Sequence, residues 1–158
     1  MLPDIRDYER LRAAFRWQIP ERSNIGVDCC DRWAVVQPDK VAIIELNPDW
    51  SLSPVSYGEL RAQSNRLANA LRRRGVGVGD RIAILLPQGR HVPVAHLAAY
   101  KLGAIAVPLA ALFGADALSY RLNDCGAKAL LTNAAGLAKL AQITEPLPEL
   151  ALILSSDG

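Results

Sequence analysis

The sequence predicts an α/β fold with a mostly parallel sheet and flanking helices. Short, nearly continuous apolar runs alternate with helical stretches along the chain, and such runs are typical of parallel strands that are covered on both faces. The composition agrees, because 51% of the residues are apolar and 22% are charged, as in a globular core. The 158 residues suffice for one domain or one part of a larger domain. We divide them into an N-terminal arm with helices, residues 1–39, and an α/β part, residues 40–158.

The N-terminal arm begins with a predicted helix. It continues through the proline-containing stretch WQIPERSN and then forms a second helix over VDCCDRWAVVQ, which Pro38 ends. We expect Arg16 and Trp17, at the start of the proline-containing stretch, to anchor the arm.

Five apolar runs are strand candidates in the sequence, and helical stretches separate most of them. The strand candidates lie at residues 40–46, 81–87, 104–108, 127–133 and 150–156. The helices are predicted at residues 57–74, 90–102, 116–125 and 134–143. Pro93 fits the second helix because it falls in the first turn, and Gly103 and Gly126 end the two middle helices. This alternation predicts right-handed crossovers between parallel strands.

The first of these helices has the strongest local signals. Ser56 and Glu59 have the spacing of a capping box, in which each side chain accepts a hydrogen bond from the other residue's backbone N–H. Val55 and Leu60 stand at the two positions of a hydrophobic staple. Gly75 follows the helix at the position of a left-handed C-cap.

Three alternating glycines, Gly75, Gly77 and Gly79, suggest a phosphate-binding loop at first sight. In a dinucleotide-binding fingerprint, however, the glycines follow a strand and open a helix. Here they follow a helix and precede a strand, which places them at the amino end of that strand. We therefore predict a turn, fixed by the side chain of Asp80.

The loop PQGRH, residues 87–91, lies on the side of the sheet where ligands bind in open α/β folds. Its glycine and arginine could assist an anion at the start of the following helix.

Charge and hydropathy exclude several function classes. The net charge is only +2 and the basic residues are spread along the chain, so no nucleic-acid surface is predicted. The longest apolar run, residues 102–115, is shorter than the ~20 residues of a membrane span. Cys29 and Cys30 are adjacent, which fits neither a zinc site nor a redox motif. We predict a cytoplasmic protein with reduced, mostly buried thiols and no metal site.

The remaining titratable residues do not form a catalytic constellation. His91 and His96 lie five residues apart and do not share a helix face, so we expect surface or hydrogen-bonded histidines. Cys125 continues an apolar stripe and is predicted to pack in the core. Arg121 and Asp124 are expected to cap or solvate the end of their helix.

Taken in order, the stretches resemble a known family. PDKVAIIE, SYGELRAQSNRLANALRRRGVGVGDRIAILLPQ and AAYKLGAIAVPLAALFGADALSYRLNDCGAKALLT resemble the N-terminal part of AMP-forming acyl-CoA synthetases. FRWQIPERSNIGVDCCDRWA is similar to the acetyl- and medium-chain branch. The resemblance covers residues 15–155, and its motifs are specific in combination.

This resemblance implies a parent enzyme that joins a carboxylic acid to coenzyme A (CoA). In the family, ATP and Mg²⁺ activate the acid to an acyl-adenylate, and the acyl group then passes to the CoA thiol. The sequence contains no Ser/Thr/Gly-rich phosphate loop ending in Lys. The resemblance therefore implies an incomplete first subdomain of an adenylate-forming enzyme, inactive alone, with no catalytic residue and no confidently bound cofactor.

One site is implied by the resemblance. LFGAD looks like the family segment that lies beside the CoA nucleotide, which maps Phe113 and Gly114 onto a cofactor-binding role. Phe113 would stack on adenine and Gly114 would let the backbone approach the ligand. Ala115 stands where some relatives have a second glycine. The alternative is a turn in which Phe113 packs in the core.

Two functions of another kind stay open at this stage. The chain could be a free-standing module that binds CoA or a nucleotide without catalysis. It could also self-associate, because an incomplete sheet leaves an uncovered edge.

Overall fold

The computed structural model describes residues 3–157 and confirms the predicted α/β fold with a mostly parallel sheet. Residues 1, 2 and 158, at the ends of the two predicted parts of the chain, lie outside the described residues. The helices are α1 (Tyr8–Ala14), α2 (Arg32–Val36), α3 (Tyr57–Arg73), α4 (His91–Lys101), α5 (Ala115–Asp124) and α6 (Ala134–Leu140). The strands are β1 (Val41–Leu46), β2 (Leu52–Ser56), β3 (Arg81–Ile84), β4 (Ile105–Pro108), β5 (Ala129–Thr132) and β6 (Leu152–Ser155).

Four parallel strands form the main sheet in the order β4-β3-β5-β6. The chain runs from β3 through α4 to β4 on one side, and then returns through α5 to β5 on the other side of β3. This reversal places the connecting helices on opposite faces of the sheet. The elements that the sequence predicts at residues 81–155 are all confirmed, with ends that differ by a few residues.

The central strand β3 supplies both hydrophobic cores. Ile82 and Ile84 belong to the cluster formed with α3 and α4, whereas Ala83 and Leu85 belong to the cluster formed with α5. All four are at most 3% exposed. Successive side chains of a strand point to opposite faces, so a continuous apolar run is needed to cover both faces of this strand.

The strand predicted at residues 40–46 exists but does not join the parallel sheet. β1 pairs in antiparallel fashion with β2 in a separate two-stranded sheet, and β2 was missed at the sequence level. Residues 47–51 are too few for a crossover, so the chain turns back directly as a hairpin. Pro54 in β2 is tolerated because a two-stranded sheet consists of edge strands.

The predicted start and end of α3 are confirmed. The Ser56 Oγ accepts a hydrogen bond from the Glu59 N–H at 3.2 Å, and the Glu59 carboxylate accepts from the Ser56 N–H at 2.8 Å. At the other end, Gly75 has a φ of +83°, and the Val76 N–H donates to the Leu71 carbonyl at 3.1 Å. This geometry is a Schellman motif, which ends the helix cleanly.

The glycine run turns the chain, as predicted, at the amino end of β3. Gly75 and Gly79 have positive φ values of +83° and +78°. The Asp80 carboxylate accepts hydrogen bonds from the Gly77 N–H at 2.8 Å and from the Lys128 ammonium at 2.7 Å. Lys128 also donates to the Gly75 carbonyl at 2.7 Å, so the predicted role of Asp80 in the turn is confirmed.

A buried ammonium group docks the N-terminal segment onto α3 and α4. The side chain of Lys101 is 8% exposed, and its Nζ lies 2.7 Å from Asp31 Oδ1. The same ammonium donates to Ser64 Oγ at 2.8 Å and to Asn65 Oδ1 at 2.7 Å. The carboxylate contact is a close ion pair and not a well-aligned hydrogen bond. The Lys101 ammonium is thus held by two hydrogen bonds and one ion pair.

The predicted helix over residues 27–37 is not one continuous α-helix. A π-helical turn at Val27–Asp31 precedes α2. The wider turn lets the adjacent residues Cys30 and Asp31 both face α3 and α4, since Cys30 is 1% exposed among core residues and Asp31 pairs with Lys101. Cys29 is exposed, contrary to the expectation of mostly buried thiols.

The predicted anchoring of the arm by Arg16 and Trp17 is wrong. Trp17 is 80% exposed, and Arg16 donates only to the nearby carbonyls of Ala13 and Phe15. Asn24 anchors the segment instead, because its side-chain amide donates to the Tyr100 carbonyl at the end of α4, at 2.9 Å. No helix in residues 3–157 is long and apolar enough to cross a membrane.

Asp31→Ala should lower the free energy of unfolding by about 3 kcal/mol, because it leaves the buried Lys101 ammonium without its countercharge. Asp28→Ala is the matched control, since Asp28 pairs with Arg32 at 3.8 Å on the exposed side of the same turn and should cost less than about 1 kcal/mol. Urea denaturation measures both variants. Equal losses would show that the buried pair does not hold the segment.

Candidate functional site

The carboxyl ends of the parallel strands form the edge of the sheet where ligands bind in open α/β folds. The four strands are parallel, so their carboxyl ends all lie at this edge, and the strand order reverses around β3. Three features lie at this edge: the loop 109–114 after β4, the loop 85–90 after β3, and a crevice beside the ends of β5 and β6. The glycine run at residues 75–79 lies at the opposite edge.

The loop after β4 contains both predicted site residues. Phe113 is half-buried and packs against the core cluster that includes Leu118. Gly114 is exposed and is the N-cap residue of α5. A Cβ added to Gly114 would meet no atom within 4 Å, so the space beside its backbone is open. The structure places both residues at the ligand edge, where Phe113 packs partly against the core, and the cofactor-binding role of the two residues stays a prediction.

Two cationic side chains flank this loop. The guanidinium of Arg121, from α5, lies 4.1 Å from the centroid of the Phe113 ring. The ammonium of Lys139, from α6, donates to the carbonyl oxygens of Ala111 and Phe113, the latter at 3.0 Å. The expectation that Arg121 caps or solvates its helix end with Asp124 is therefore wrong. Arginine side chains on a helix lean toward its N-terminus, which brings Arg121 back over Phe113.

Sequence reasoning missed the role of Lys139, since its contacts span 26 residues and leave no local pattern. The only signal for Arg121 is its place on α5, from which an arginine side chain leans back toward the helix N-terminus and the loop that precedes it.

The loop after β3 binds a carboxylate side chain of the same protein. Arg90 Nε lies 2.6 Å from Glu45 Oε2, and the Arg90 N–H donates to Glu45 Oε1 at 3.1 Å. A Cβ on Gly89 would lie 2.8 Å from the same carboxylate. The hydrogen bonds from Arg90 lower the pKa of Glu45 below its ordinary value. The predicted anion position at the start of α4 is thus filled by a carboxylate from β1.

A crevice of about 150 Å³ lies between the helices α3 and α4 and the ends of β5 and β6. Its lining is mainly apolar, with His91, Ser155 and Ser156 among the polar residues. Apolar cavities of about this volume accept small hydrophobic molecules in other proteins.

The second histidine, His96, lies outside this crevice. Its Nδ1 is 3.1 Å from the Tyr100 hydroxyl, and burial lowers the pKa of its imidazole. This agrees with the predicted hydrogen-bonded histidine.

A groove of about 530 Å³ lies on the other face of α5. Three acidic residues, Asp116, Asp124 and Glu145, contribute to its lining, and the Ser119 hydroxyl donates to Glu145 at 2.7 Å. An acidic groove repels phosphate groups, so it does not suit a nucleotide.

No cluster of three metal-ligating side chains is present within residues 3–157.

Comparison with known proteins assigns this arrangement to a family of enzymes. The sequence pattern of the AMP-binding enzyme family matches residues 30–158. An acetyl-coenzyme A synthetase of Methylobacterium radiotolerans is 37% identical over 132 residues, which are 82% of this chain and 20% of the relative. The same enzyme from Xanthobacter autotrophicus is 39% identical over 126 residues, or 78% of this chain and 19% of the relative. The chain thus spans about a fifth of the length of these relatives.

Solved structures show the same fold. An acyl-CoA synthetase from Brucella canis superposes with a TM-score of 0.78 at 31% identity, covering 87% of this chain and 27% of the other. The N-terminal domain of FACL13 from Mycobacterium tuberculosis superposes with a TM-score of 0.76 at 28% identity, covering 85% of this chain and 34% of the other. The described elements therefore correspond to the N-terminal part of such enzymes.

Arg90→Gln should raise the pKa of Glu45 toward its ordinary value, because the Arg90 side chain is the main cause of the lowered pKa. The folded-state pKa lies below the unfolded value of about 4.3, so the stabilisation from this contact is complete above that value. It is lost as the pH falls through the folded-state pKa. Carbon-13 NMR titration of the Glu45 carboxyl measures the change. Arg32→Gln, which alters an exposed pair elsewhere, should leave the Glu45 pKa in place, and an equal response to both variants would contradict this assignment.

Proposed function

The chain belongs to the family of AMP-binding enzymes, and from this premise we propose that it forms the N-terminal α/β part of an AMP-forming acyl-CoA synthetase. The observation that supports the proposal most is the match over residues 30–158, together with the structural likeness to acyl-CoA synthetases. The chain covers 20% of the length of its relative, so the activity, substrates and partners of the whole protein are part of the proposal.

The proposed whole enzyme activates a carboxylic acid with ATP and transfers the acyl group to CoA, releasing pyrophosphate and AMP. Mg²⁺ would accompany the ATP phosphates. The acids at the ligand edge do not fit a magnesium site, because Glu45 is paired with Arg90 and Asp157 accepts a hydrogen bond from the Ala134 N–H at 2.7 Å. No cluster of three metal-ligating side chains occurs within residues 3–157. No chemical step is therefore assigned to residues of this chain, and residues 1–158 alone are proposed to be catalytically silent.

The proposed role of this chain is to supply one wall of the CoA site. Phe113 and Gly114 lie at the carboxyl edge of the sheet, and the backbone of Gly114 is open to an approaching ligand. Arg121 and Lys139 bring positive charge to the same loop, which favours a ligand with phosphate groups. These features support the binding of a nucleotide beside the loop.

Two broader assignments belong to the same proposal. The division into residues 1–39 and 40–158 is retained, with the α/β part beginning at β1. A cytoplasmic location is proposed because all three cysteines are unpaired, as is usual in a reducing compartment.

A second candidate function is self-association through the edges of the main sheet. β4 and β6 are its outer strands, and Ile105 and Ile153 on them are 52% and 44% exposed. Unpaired edges with exposed apolar residues favour pairing with another chain. Sedimentation velocity at high concentration tests this candidate, and a clean monomer would count against it.

The 158-residue chain should release no pyrophosphate from ATP and Mg²⁺ with short or medium-length carboxylates, because its sequence contains no Ser/Thr/Gly-rich phosphate loop ending in Lys to hold the α-phosphate in line with the attacking carboxylate. A coupled pyrophosphate assay measures this. Turnover above a heat-denatured control would overturn the proposed silence of the chain.

CoA at millimolar concentration should bind the chain, and Gly114→Val should weaken this binding by about tenfold, or about 1.4 kcal/mol. The valine would occupy the open space beside the loop. Gly77→Val is the matched control, because an added Cβ there also meets no atom within 4 Å but lies at the opposite edge. Calorimetric titration that gives the same affinity for both variants would contradict the proposed site.

A further inference from the structure

The loop between β4 and α5 has few internal restraints. Its described backbone hydrogen bonds join the Leu109 N–H to the Ile84 carbonyl at 2.9 Å and the Phe113 N–H to the Ala110 carbonyl at 3.0 Å. Leu112 is 95% exposed and so contributes little packing. The conformation of the loop therefore depends on contacts from outside it.

Lys139 supplies one such contact from α6. Its ammonium donates to the carbonyl oxygens on both sides of Leu112, those of Ala111 and Phe113. One cation thereby fixes two peptide groups of the loop. A flexible lysine can hold a loop only if its own helix is held firmly.

The start of α6 is firmly held. The Asn133 side chain caps the helix by accepting from the Gly136 N–H at 3.0 Å. Gly136 packs directly against Thr132, where an added Cβ would collide with the threonine side chain. Thr132 in turn donates from its hydroxyl to the Leu85 carbonyl at 3.0 Å. The restraint on the loop thus traces back to the middle of the sheet.

Arg121 supplies a second contact from α5. Its guanidinium lies 4.1 Å from the Phe113 ring centroid and donates to the Ala117 carbonyl at 3.1 Å. Lys139 therefore holds the backbone of Phe113, and Arg121 holds its ring. Within residues 3–157, neither cation lies within 4 Å of a carboxylate, so both are engaged by the loop and not by an ion pair.

We propose that Lys139 and Arg121 are positioning residues that hold the Phe113–Gly114 loop in the conformation that receives the CoA nucleotide. This inference rests on the proposed function of the loop. Both residues act through Phe113, and the assignment requires no contact between either of them and the reacting atoms. The loop is thus preorganised by two cations from two different helices, which lowers the ordering cost of binding.

Amide hydrogen exchange of the full chain tests the Lys139 contact without any ligand. Lys139→Gln should speed exchange at the Phe113 amide by about tenfold, and Lys139→Arg, which keeps the charge and the donors, should restore slow exchange. Lys128→Gln is the matched control, because Lys128 holds a glycine carbonyl at the opposite edge and should leave the Phe113 amide unchanged. Unchanged exchange in Lys139→Gln overturns the inference.

Arg121 is tested by the NMR signals of the Phe113 ring. Arg121→Gln should speed ring motion and shift the ring resonances, whereas Arg121→Lys should keep most of the native shift because it keeps a cation over the ring. If the glutamine variant has native ring signals, Arg121 does not hold the ring and its part of the inference is overturned.

Titration of the same variants with CoA separates the inference from the proposed function. Lys139→Gln should weaken CoA binding about tenfold, and Lys139→Arg should restore it. A loosened loop with native CoA affinity would overturn the positioning role. Failure of the unmodified chain to bind millimolar CoA would overturn the proposed function itself, and the exchange comparison would still decide whether Lys139 holds the loop.

Discussion

The structure depends on one constraint, the burial of β3 on both of its faces. This strand has a hydrogen-bonded neighbour on each side and a hydrophobic core on each face. A parallel strand in this position needs helices above and below, and the crossovers that supply them must run in both directions from β3. The reversal of strand order follows, and because the four strands are parallel, their carboxyl ends lie at one edge. The candidate site is therefore a consequence of how the chain buries β3.

Charge distinguishes the two edges of the sheet. At the amino edge, Lys128 is neutralised by Asp80 while it holds the glycine turn, and at the carboxyl edge Arg90 is neutralised by Glu45. Lys139 and Arg121 also hold backbone or ring atoms, but within the described part of the chain no carboxylate pairs with them. A phosphate-bearing ligand at this loop would meet these two cations, which no described carboxylate neutralises, beside the open backbone of Gly114. This asymmetry is the physical basis for assigning function to the loop after β4 and structure to the glycine run.

The sequence predicted those parts of the fold whose signals are local. The capping box at Ser56 and the left-handed Gly75 are properties of a few neighbouring residues, so α3 was located nearly to the residue. β2 was missed because its polar, proline-containing sequence forms a strand only by pairing with β1. Lys139 and Arg121 were missed as loop restraints for the same reason, since their contacts exist only after α5 and α6 have packed. Phe113 and Gly114 were proposed as site residues through family resemblance, and local chemistry alone did not single them out.

The central claim is that this part of an acyl-CoA synthetase meets the CoA nucleotide at the loop after β4. Amide chemical-shift mapping of the full chain with CoA tests it most directly. The account predicts that shifts cluster at residues 109–121 and at α6, with the glycine run and the acidic groove on α5 unaffected. Shifts centred on residues 75–80 or 142–145, or no shifts at millimolar CoA, would contradict it.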